Sequence, residues 1–187
     1  CSGLVGSEMC IRDRLNGMRE AGKLAAEVLE MITDFVKPGI STGELDEICF
    51  KYITDVQGAI PANVGYRGFE KTLCTSINQV ICHGIPDTNR ILKSGDIMNI
   101  DVTVIKDGWH GDTSKMFLIG KAQSHNERLV RVTQECLYKG IEAARPGARL
   151  GDIGNAIQIH AEKNYYSVVE EYCGHGIGKI YHDEPQI

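Results

Sequence analysis

No stretch of this sequence approaches the run of about 18 apolar residues that a membrane-spanning helix requires. The first residues also lack the basic start and apolar core of a signal peptide. Positive charge is not in excess, because 20 Lys and Arg stand against 25 Asp and Glu, which leaves a net charge of −5. We therefore predict a cytoplasmic protein that neither enters a membrane nor reads nucleic acid.

Paired cysteines are also missing. The seven cysteines are odd in number, scattered, and without a C-x-x-C pair, which argues against a disulfide framework and a structural zinc knuckle. The sequence has no G-x-S-x-G, Walker, Rossmann or H-E-x-x-H motif, so serine hydrolase, nucleotide-binding and helix-borne zinc protease interpretations have no support. A thiol nucleophile stays open, since Cys74 and Cys82 lie near His83 in the sequence.

Glycine is abundant, with 21 of 187 residues, against a usual share of about 7%. Hydrophobic residues make up 42% and charged residues 24%, which is typical of a globular protein with a substantial core. Residues 1–14 show no helical or strand period and resemble translated sequencing-adapter DNA. We predict that 1–14 is a non-native, adapter-like tail and that the folded domain is 15–187.

An internal repeat divides the domain. An amphipathic helix from Leu15 ends at a Pro-Gly pair, and a capping box opens a second helix. The segment KPGISTGELDEI (Lys37–Ile48) returns as RPGARLGDIGNAI (Arg145–Ile157), and Pro38 and Pro146 lie 108 positions apart. Coincidence of two Pro-Gly helix stops is the alternative, but amphipathic helices precede both, which favours a duplication.

The repeat predicts two helix–helix–sheet halves, a first at 15–120 and a second at 123–187. The second half ends early, because nothing follows it that matches Val80–Ile119 of the first. We therefore expect the chain to be a fragment of a longer protein.

A predicted hairpin carries the residues most typical of metal chemistry. Asp107-Gly108 joins two strand-like runs and is a strong signal for a two-residue turn. With that turn, Asp101 and Asp112 become diagonal neighbours on one face of the hairpin, where two carboxylates can bracket a pair of metal ions. A three-residue loop would place them on opposite faces, and two solvated strand aspartates are the alternative. Aspartate is disfavoured in strands, which favours the metal interpretation.

Three histidines stand in glycine-rich surroundings. His175 lies in GHGIG and is followed by His182, while His83 lies in CHGIP. Neutral imidazole is the commonest transition-metal ligand, and missing side chains allow a backbone or a substrate to approach closely. Each histidine taken alone is equally compatible with a turn residue.

Three motifs together resemble the bacterial type I methionine aminopeptidases: CTSINQVICHGIP, NIDVTVIKDGWHGDTSKMF and EYCGHGIG followed by YHDEPQ. The similarity runs from Leu15 to Ile187. It implies the duplicated pita-bread α/β fold and metal-dependent removal of the initiator methionine from nascent proteins by a monomer, with the ribosome as a further partner.

The resemblance also implies a site with two divalent ions, of Co, Mn, Fe or Zn. Asp101, Asp112 and His175 match metal ligands, with Asp112 bridging the ions. His83 matches the residue that contacts the amide nitrogen after the scissile bond, and His182 the one that polarises the scissile carbonyl. The positions that line the methionine pocket are Tyr66, Phe69, Cys74 and Tyr181.

The chain departs from the family pattern in three respects. Two further glutamate ligands, one of them the proton shuttle, would lie beyond Ile187, so we expect the chain to be inactive or nearly so. Asn63 stands at a pocket position that is often apolar or small, and Glu70 stands where proline is usual. An X-Pro aminopeptidase of the same fold and a non-catalytic relative that binds peptides or ribosomes remain alternatives.

Overall fold

A computed structural model describes residues 4–187, with side chains from residue 11 onward. Its α-helices are α1 (Leu4–Ile32), α2 (Thr42–Lys51), α3 (Ser124–Ala143) and α4 (Leu150–Lys163). Its strands are β1 (Ile60–Pro61), β2 (Leu73–Ile77), β3 (Ile97–Lys106), β4 (Trp109–Leu118), β5 (His175–Gly176) and β6 (Asp183–Gln186). A π-helical turn (Tyr52–Val56) extends α2, and a 3-10 turn (Tyr66–Gly68) precedes β2.

The chain forms two compact units. The first runs up to Ala122 and also takes in Ile177–Tyr181, and the second comprises Gln123–Gly176 and His182–Ile187. Among the residues that the structure describes, no helix is both long and apolar enough to cross a membrane.

The first unit is built on an antiparallel sheet with β3 at its centre. β4 pairs with β3 along its whole length, and the shorter β1 and β2 share the other edge of β3. Asp107 and Gly108 both have positive φ, 50° and 79°, as the two central residues of a type I′ turn require. The predicted two-residue hairpin turn is therefore confirmed.

One face of this sheet is apolar and packs against α1. Alternate residues of β3 (Met98, Ile100, Val102 and Val104) are fully buried there, as the period of two along a strand requires. The helix contributes Leu24, Ala25, Val28, Leu29 and Ile32 to the same core. Gly111 of β4 allows the closest approach, since a Cβ atom at this position would collide with the carbonyl group of Ala21.

The start of α2 confirms the predicted capping box. The Ser41 hydroxyl accepts a hydrogen bond from the Glu44 N–H at 3.1 Å, and the Glu44 carboxylate accepts one from the Ser41 N–H at 2.9 Å. These two bonds satisfy backbone donors that a helix N-terminus leaves without intrahelical partners. The bond from the Ser41 N–H, together with one that the Ser41 hydroxyl donates to the same carboxylate at 2.8 Å, lowers the pKa of Glu44.

The second unit repeats this local geometry 108 positions later. Arg149 is the N-cap of α4, with extended φ and ψ like those of Ser41, and its N–H donates to Asp152 at 2.8 Å. Gly147 has φ of 88°, against 98° for Gly39, in the turn before the cap. The helix pairs of the two units are thus equivalent in backbone conformation, which agrees with the predicted duplication.

The amphipathic helix that the sequence predicts before the second Pro-Gly pair is confirmed as α3, but its apolar residues are only partly buried. Val132 and Cys136 are buried against α4, but Leu129, Leu137 and Ile141 are exposed. In the first unit, the position equivalent to Leu137 is Leu29, which is buried beneath the sheet. The described strands of the second unit are β5 and β6, which pair only with each other and provide no such cover.

The N-terminal helix begins earlier than its apolar period indicates. The structure continues α1 back to Leu4, so most of the predicted tail 1–14 is helical, and only 1–3 lie outside the described residues. That residues 1–14 are a non-native tail stays a prediction.

Candidate metal and peptide site

The two aspartates of the hairpin lie on the same face of the sheet. In the pairing of β3 with β4, Asp101 is opposite Ser114 and Asp112 is opposite Thr103. The aspartates are therefore diagonal neighbours, with Cα atoms about 7–8 Å apart as the geometry of such pairs dictates. This register is the predicted one, and it places both half-buried carboxylates on the side of the sheet opposite the apolar core.

Thr103 lies beside these carboxylates and is fully buried. Its hydroxyl donates a hydrogen bond to Asp112 Oδ1 at 2.9 Å, and its oxygen lies 2.6 Å from Tyr181 Oη. Tyr181 Oη in turn donates to Asn63 Oδ1 at 2.7 Å. A chain of three polar side chains thus leads from Asp112 into the first unit.

Tyr181 is the centre of an aromatic group in the first unit. Its ring centroid lies 4.9 Å from that of Tyr66, and the His110 ring stacks on it at 5.4 Å. Burial, together with the nearby negative charge of Asp112, raises the pKa of the Tyr181 phenol. The hydroxyl therefore stays protonated and is available as a donor.

Cys74 is the cross-strand partner of Asp101 and is buried. Burial, with the negative charge of Asp101 as the next cause, raises the pKa of its thiol to about 12. Because the thiolate is the nucleophilic form, the structure gives no support to Cys74 as a nucleophile. Its position fits the predicted role in lining a pocket.

The remaining first-unit residues that are predicted to line the pocket or contact the peptide lie in loops. Tyr66 begins the 3-10 turn, and Phe69 follows it, with its carbonyl accepting from the Gly65 N–H at 2.7 Å. His83 has a positive φ of 55° in the loop after β2. The next residue, Gly84, holds this loop against β2, since its carbonyl accepts from the Thr75 N–H and its N–H donates to the Ser76 hydroxyl.

The other two predicted histidines lie together in the second unit. The ring centroids of His175 and His182 are 4.4 Å apart, and His175 Nδ1 contacts the Gly176 carbonyl at 3.0 Å. Gly176 has no room for a side chain, because a Cβ atom would collide with the Glu184 carbonyl group across the β5–β6 pair. The glycine beside His175 thus permits the pairing that brings the two imidazoles together.

Thr103 and His110 are neighbours of the site that are absent from the predicted site residues, and Asn63 stands out in the sequence only as a departure from the family pattern. Both missed residues lie on β3 or β4 on the same face as Asp112, and this alternation was the available signal. His110 anchors the segment of Tyr181, because its N–H and its Nδ1 both contact the Gly178 carbonyl, at 2.8 and 3.0 Å.

Carboxylate oxygens and imidazole nitrogens are the donors that divalent metals bind in proteins. The first unit presents two carboxylates on one sheet face, and the second presents two adjacent imidazoles, so the donor types fit such an ion. Among the residues described, no group of three or more His, Cys, Asp and Glu side chains is close enough to hold a metal ion.

The family model of metallopeptidase family M24 matches residues 16–187. The chain belongs to this family. Membership implies dependence on a divalent metal, and the mixed helix and sheet structure is the pita-bread fold of these enzymes, as the sequence predicts.

The M24 chain is similar to proteins that are named methionine aminopeptidases. It is 62% identical over 170 residues to the methionine aminopeptidase of Salmonella typhimurium, an alignment that covers 91% of the chain and 64% of that relative. The crystal structure of the Rickettsia prowazekii methionine aminopeptidase is 56% identical, with a TM-score of 0.92 over 94% of the chain and 70% of that structure. The chain thus spans about two thirds of the length of these relatives.

A third comparison shows the fold alone. The crystal structure of the X-Pro aminopeptidase of Thermotoga maritima matches with a TM-score of 0.76 but only 15% identity, over 94% of the chain and 48% of that structure. Likeness of fold at this identity carries no argument about the substrate.

Proposed function

We propose that this chain is part of a metal-dependent aminopeptidase that removes the initiator methionine from nascent proteins. The observation that carries the proposal is the pair Asp101 and Asp112 on one sheet face of a chain 62% identical to a protein named methionine aminopeptidase. Two carboxylates at this spacing suit a pair of divalent ions. Aspartate is disfavoured in strands, so two aspartates on one face of a regular hairpin favour a metal site over solvated surface residues.

Asp101, Asp112 and His175 are the residues that would hold divalent metal, as two ions of Co, Mn, Fe or Zn. When bound, such ions lower the pKa of water to near neutrality and stabilise negative charge that develops on a carbonyl oxygen. Asp101 and Asp112 supply negative charge from a rigid pair of strands, which keeps their separation fixed. His175 supplies a nitrogen ligand from β5.

The other histidines are proposed to act on the peptide. His83 would accept or donate a hydrogen bond at the amide nitrogen after the scissile bond, from a loop that Gly84 holds against β2. His182 would donate a hydrogen bond to the scissile carbonyl as its oxygen becomes negative, which stabilises the tetrahedral state. Tyr66, Phe69, Cys74 and Tyr181 would line the pocket for the methionine side chain, and a buried neutral thiol suits an apolar pocket.

The cellular setting follows from the substrate. Nascent chains carry the initiator methionine in the cytoplasm, so we place the protein there, acting as a monomer near the ribosome. The net charge of −5 and the scattered free cysteines agree with a cytoplasmic protein that does not bind nucleic acid or membrane.

Metal binding is the first test of this function. Titration of the chain with MnCl2 in a calorimeter should give binding that Asp101→Asn and Asp112→Asn weaken at least tenfold, while Asp34→Asn, at an exposed position, should leave it unchanged. Unchanged binding in both site variants would contradict the proposed metal site.

Substrate choice is the second test. Two proteins are assayed with Mn2+ on Met-Ala-Ser and on Ala-Pro-Ser. One is the chain itself, and the other is the same chain continued by the codons that follow Ile187 in its gene. We expect the continued protein to release methionine from Met-Ala-Ser faster than it releases alanine from Ala-Pro-Ser. Faster cleavage of Ala-Pro-Ser would favour the X-Pro alternative, and metal binding without cleavage of either would favour a non-catalytic relative.

A further inference from the structure

Tyr181 is held in the first unit by contacts of His110 with the backbone of Gly178 and with the Tyr181 ring. The carbonyl group of Gly178 accepts hydrogen bonds from the N–H and the Nδ1 of His110, at 2.8 and 3.0 Å. The His110 ring then stacks on Tyr181, with an angle of 18° between the planes. Tyr181 is three residues from Gly178 in the sequence, so these contacts fix the position of its ring relative to β4.

The hydroxyl of Tyr181 is fixed by a second set of contacts. Asn63 is buried, and its Nδ2 donates to the Thr72 carbonyl at 3.1 Å, so the orientation of its amide is set by the backbone. With Nδ2 used in this way, Asn63 Oδ1 points to Tyr181 Oη and accepts from it at 2.7 Å. A residue with an apolar side chain at position 63 could not make this bond.

Thr103 connects this hydroxyl with Asp112. When Asp112 is ionised it can only accept, so the single proton of Thr103 goes to Asp112 Oδ1. Tyr181 donates its proton to Asn63 Oδ1 at 2.7 Å, and its oxygen lies 2.6 Å from Thr103 Oγ1. A rotation of the Thr103 side chain that carried Oγ1 away from Asp112 would therefore also break its contact with Tyr181.

We propose that Tyr181 is a positioning residue, which acts through Thr103 to fix the direction of the Asp112 carboxylate and is itself fixed by Asn63. With Oδ1 bonded to Thr103, the rotation of the Asp112 carboxylate is defined. This inference rests on the proposed function, since it takes Asp112 as a metal ligand. It gives Tyr181 and Asn63 a role beyond lining a pocket.

The test removes single hydroxyl groups from the chain and measures the affinity for Mn2+. Tyr181→Phe keeps the ring that stacks on His110 and removes the hydroxyl that contacts Thr103 and Asn63. We expect the Kd for Mn2+ to rise about tenfold, at the lower end of the effect of removing a group that orients a metal ligand. Tyr165→Phe removes the hydroxyl of a tyrosine that is 93% exposed and should leave the Kd unchanged.

A double-mutant cycle shows whether Tyr181 acts through Thr103. Thr103→Val should weaken binding more than Tyr181→Phe, because it removes the bond to Asp112 itself, and Thr103→Ser should restore most of the affinity. The double variant Tyr181→Phe/Thr103→Val should bind no more weakly than Thr103→Val alone. Additive effects would mean that Tyr181 acts independently of Thr103 and would overturn the proposal.

Spectra of bound Co2+ give a readout that a loss of stability alone would not move. The visible absorption band of the Co2+-loaded chain should shift in Tyr181→Phe and in Asn63→Leu, because the carboxylate ligand rotates, and it should not shift in Tyr165→Phe. Circular dichroism of each variant verifies folding.

Two negative outcomes are distinguishable. Unchanged Kd and spectrum in Tyr181→Phe, with binding lost in Asp112→Asn, would overturn the positioning role and leave the proposed function standing. Unchanged binding in Asp112→Asn, or no Mn2+ binding by the parent chain, would contradict the proposed metal site and the positioning role together.

Discussion

Cys74 and Asp101 face each other across β2 and β3, and the carboxylate contributes to a thiol pKa of about 12. A thiol with such a pKa is almost wholly neutral near pH 7, so it resembles a small apolar side chain more than a nucleophile. The pairing therefore argues against Cys74 as the thiol nucleophile that the sequence left open.

Alkylation should distinguish Cys74 from the exposed Cys173. Iodoacetamide reacts with the thiolate, so at pH 8 we expect rapid labelling of Cys173 and no labelling of Cys74 over the same period. Peptide mapping by mass spectrometry after a time course gives both rates from one sample. In guanidinium chloride the two cysteines should react alike, and equal rates in the folded chain would contradict the assigned burial and pKa.

The contact between α1 and β4 should tolerate no side chain at Gly111. Gly111→Ala places a methyl group against the carbonyl group of Ala21, and overpacking of this kind costs about 1–3 kcal/mol of unfolding free energy. The matched control is Gly22→Ala in the same helix, where a Cβ atom meets nothing within 4 Å. That variant should gain about 0.5–1 kcal/mol from the better helix propensity of alanine.

Urea denaturation monitored by circular dichroism measures both changes. The sign of the change in unfolding free energy is decisive, because the two variants add the same methyl group on either side of one contact. A destabilised Gly22→Ala together with an unaffected Gly111→Ala would mean that α1 does not pack on β4 as described.

Local features of the fold were predictable because their signals are confined to a few neighbouring residues. Ser41 and Glu44 are three positions apart and predict the capping box from the hydrogen-bonding needs of one helix end. Asp107-Gly108 predicts the hairpin because Asp and Gly readily adopt the two positive φ angles of a type I′ turn, whose twist matches that of paired strands. The register then follows, and with it the shared face of Asp101 and Asp112.

The network around Asp112 was not predictable in this way. Tyr181 is 78 positions from Thr103 and 118 positions from Asn63, so no periodicity or motif links them. Their meeting depends on where the segment of Gly178 docks on β4, which is a tertiary contact. The exposure of Leu137 could not be predicted for a similar reason, since an amphipathic pattern shows which side of a helix is apolar but not whether another element covers it.

The duplication predicts that α4 can be stabilised by copying the cap of α2. Arg149 has the backbone conformation of an N-cap, but a guanidinium group has no acceptor and cannot satisfy the free N–H groups of the helix. Arg149→Ser should place a hydroxyl where Ser41 has one and should raise the unfolding free energy by about 0.5–1 kcal/mol. The reverse variant, Ser41→Ala, should lower it by about 1 kcal/mol.

Thermal unfolding of both variants compares the two caps in one protein. Arg149→Ala separates the gain of a hydroxyl from the loss of the arginine side chain. If Arg149→Ser is no more stable than Arg149→Ala, the N-termini of α2 and α4 are not equivalent in the way that their backbone angles indicate.

Asp46 should make the stability of the first unit depend on pH. Its Oδ1 accepts hydrogen bonds from the N–H groups of Thr72 and Leu73, at 2.8 and 3.2 Å, and burial raises its pKa above the ordinary 3.8 despite these bonds. A raised pKa means that the folded chain holds this proton more tightly than the unfolded chain does. The stabilisation is therefore complete below pH 3.8 and is lost as the pH rises through the higher folded value.

Asp46→Asn tests this dependence, because it keeps the Oδ1 acceptor for both N–H groups and cannot ionise. Urea denaturation of the parent and the variant between pH 3.5 and pH 7 should show the parent losing unfolding free energy relative to the variant as the pH increases. Asp34→Asn, at an exposed position, is the control for loss of a carboxylate as such. If the parent instead gains stability over Asp46→Asn with rising pH, the hydrogen bonds outweigh the burial of Asp46, and the direction assigned to its pKa is wrong.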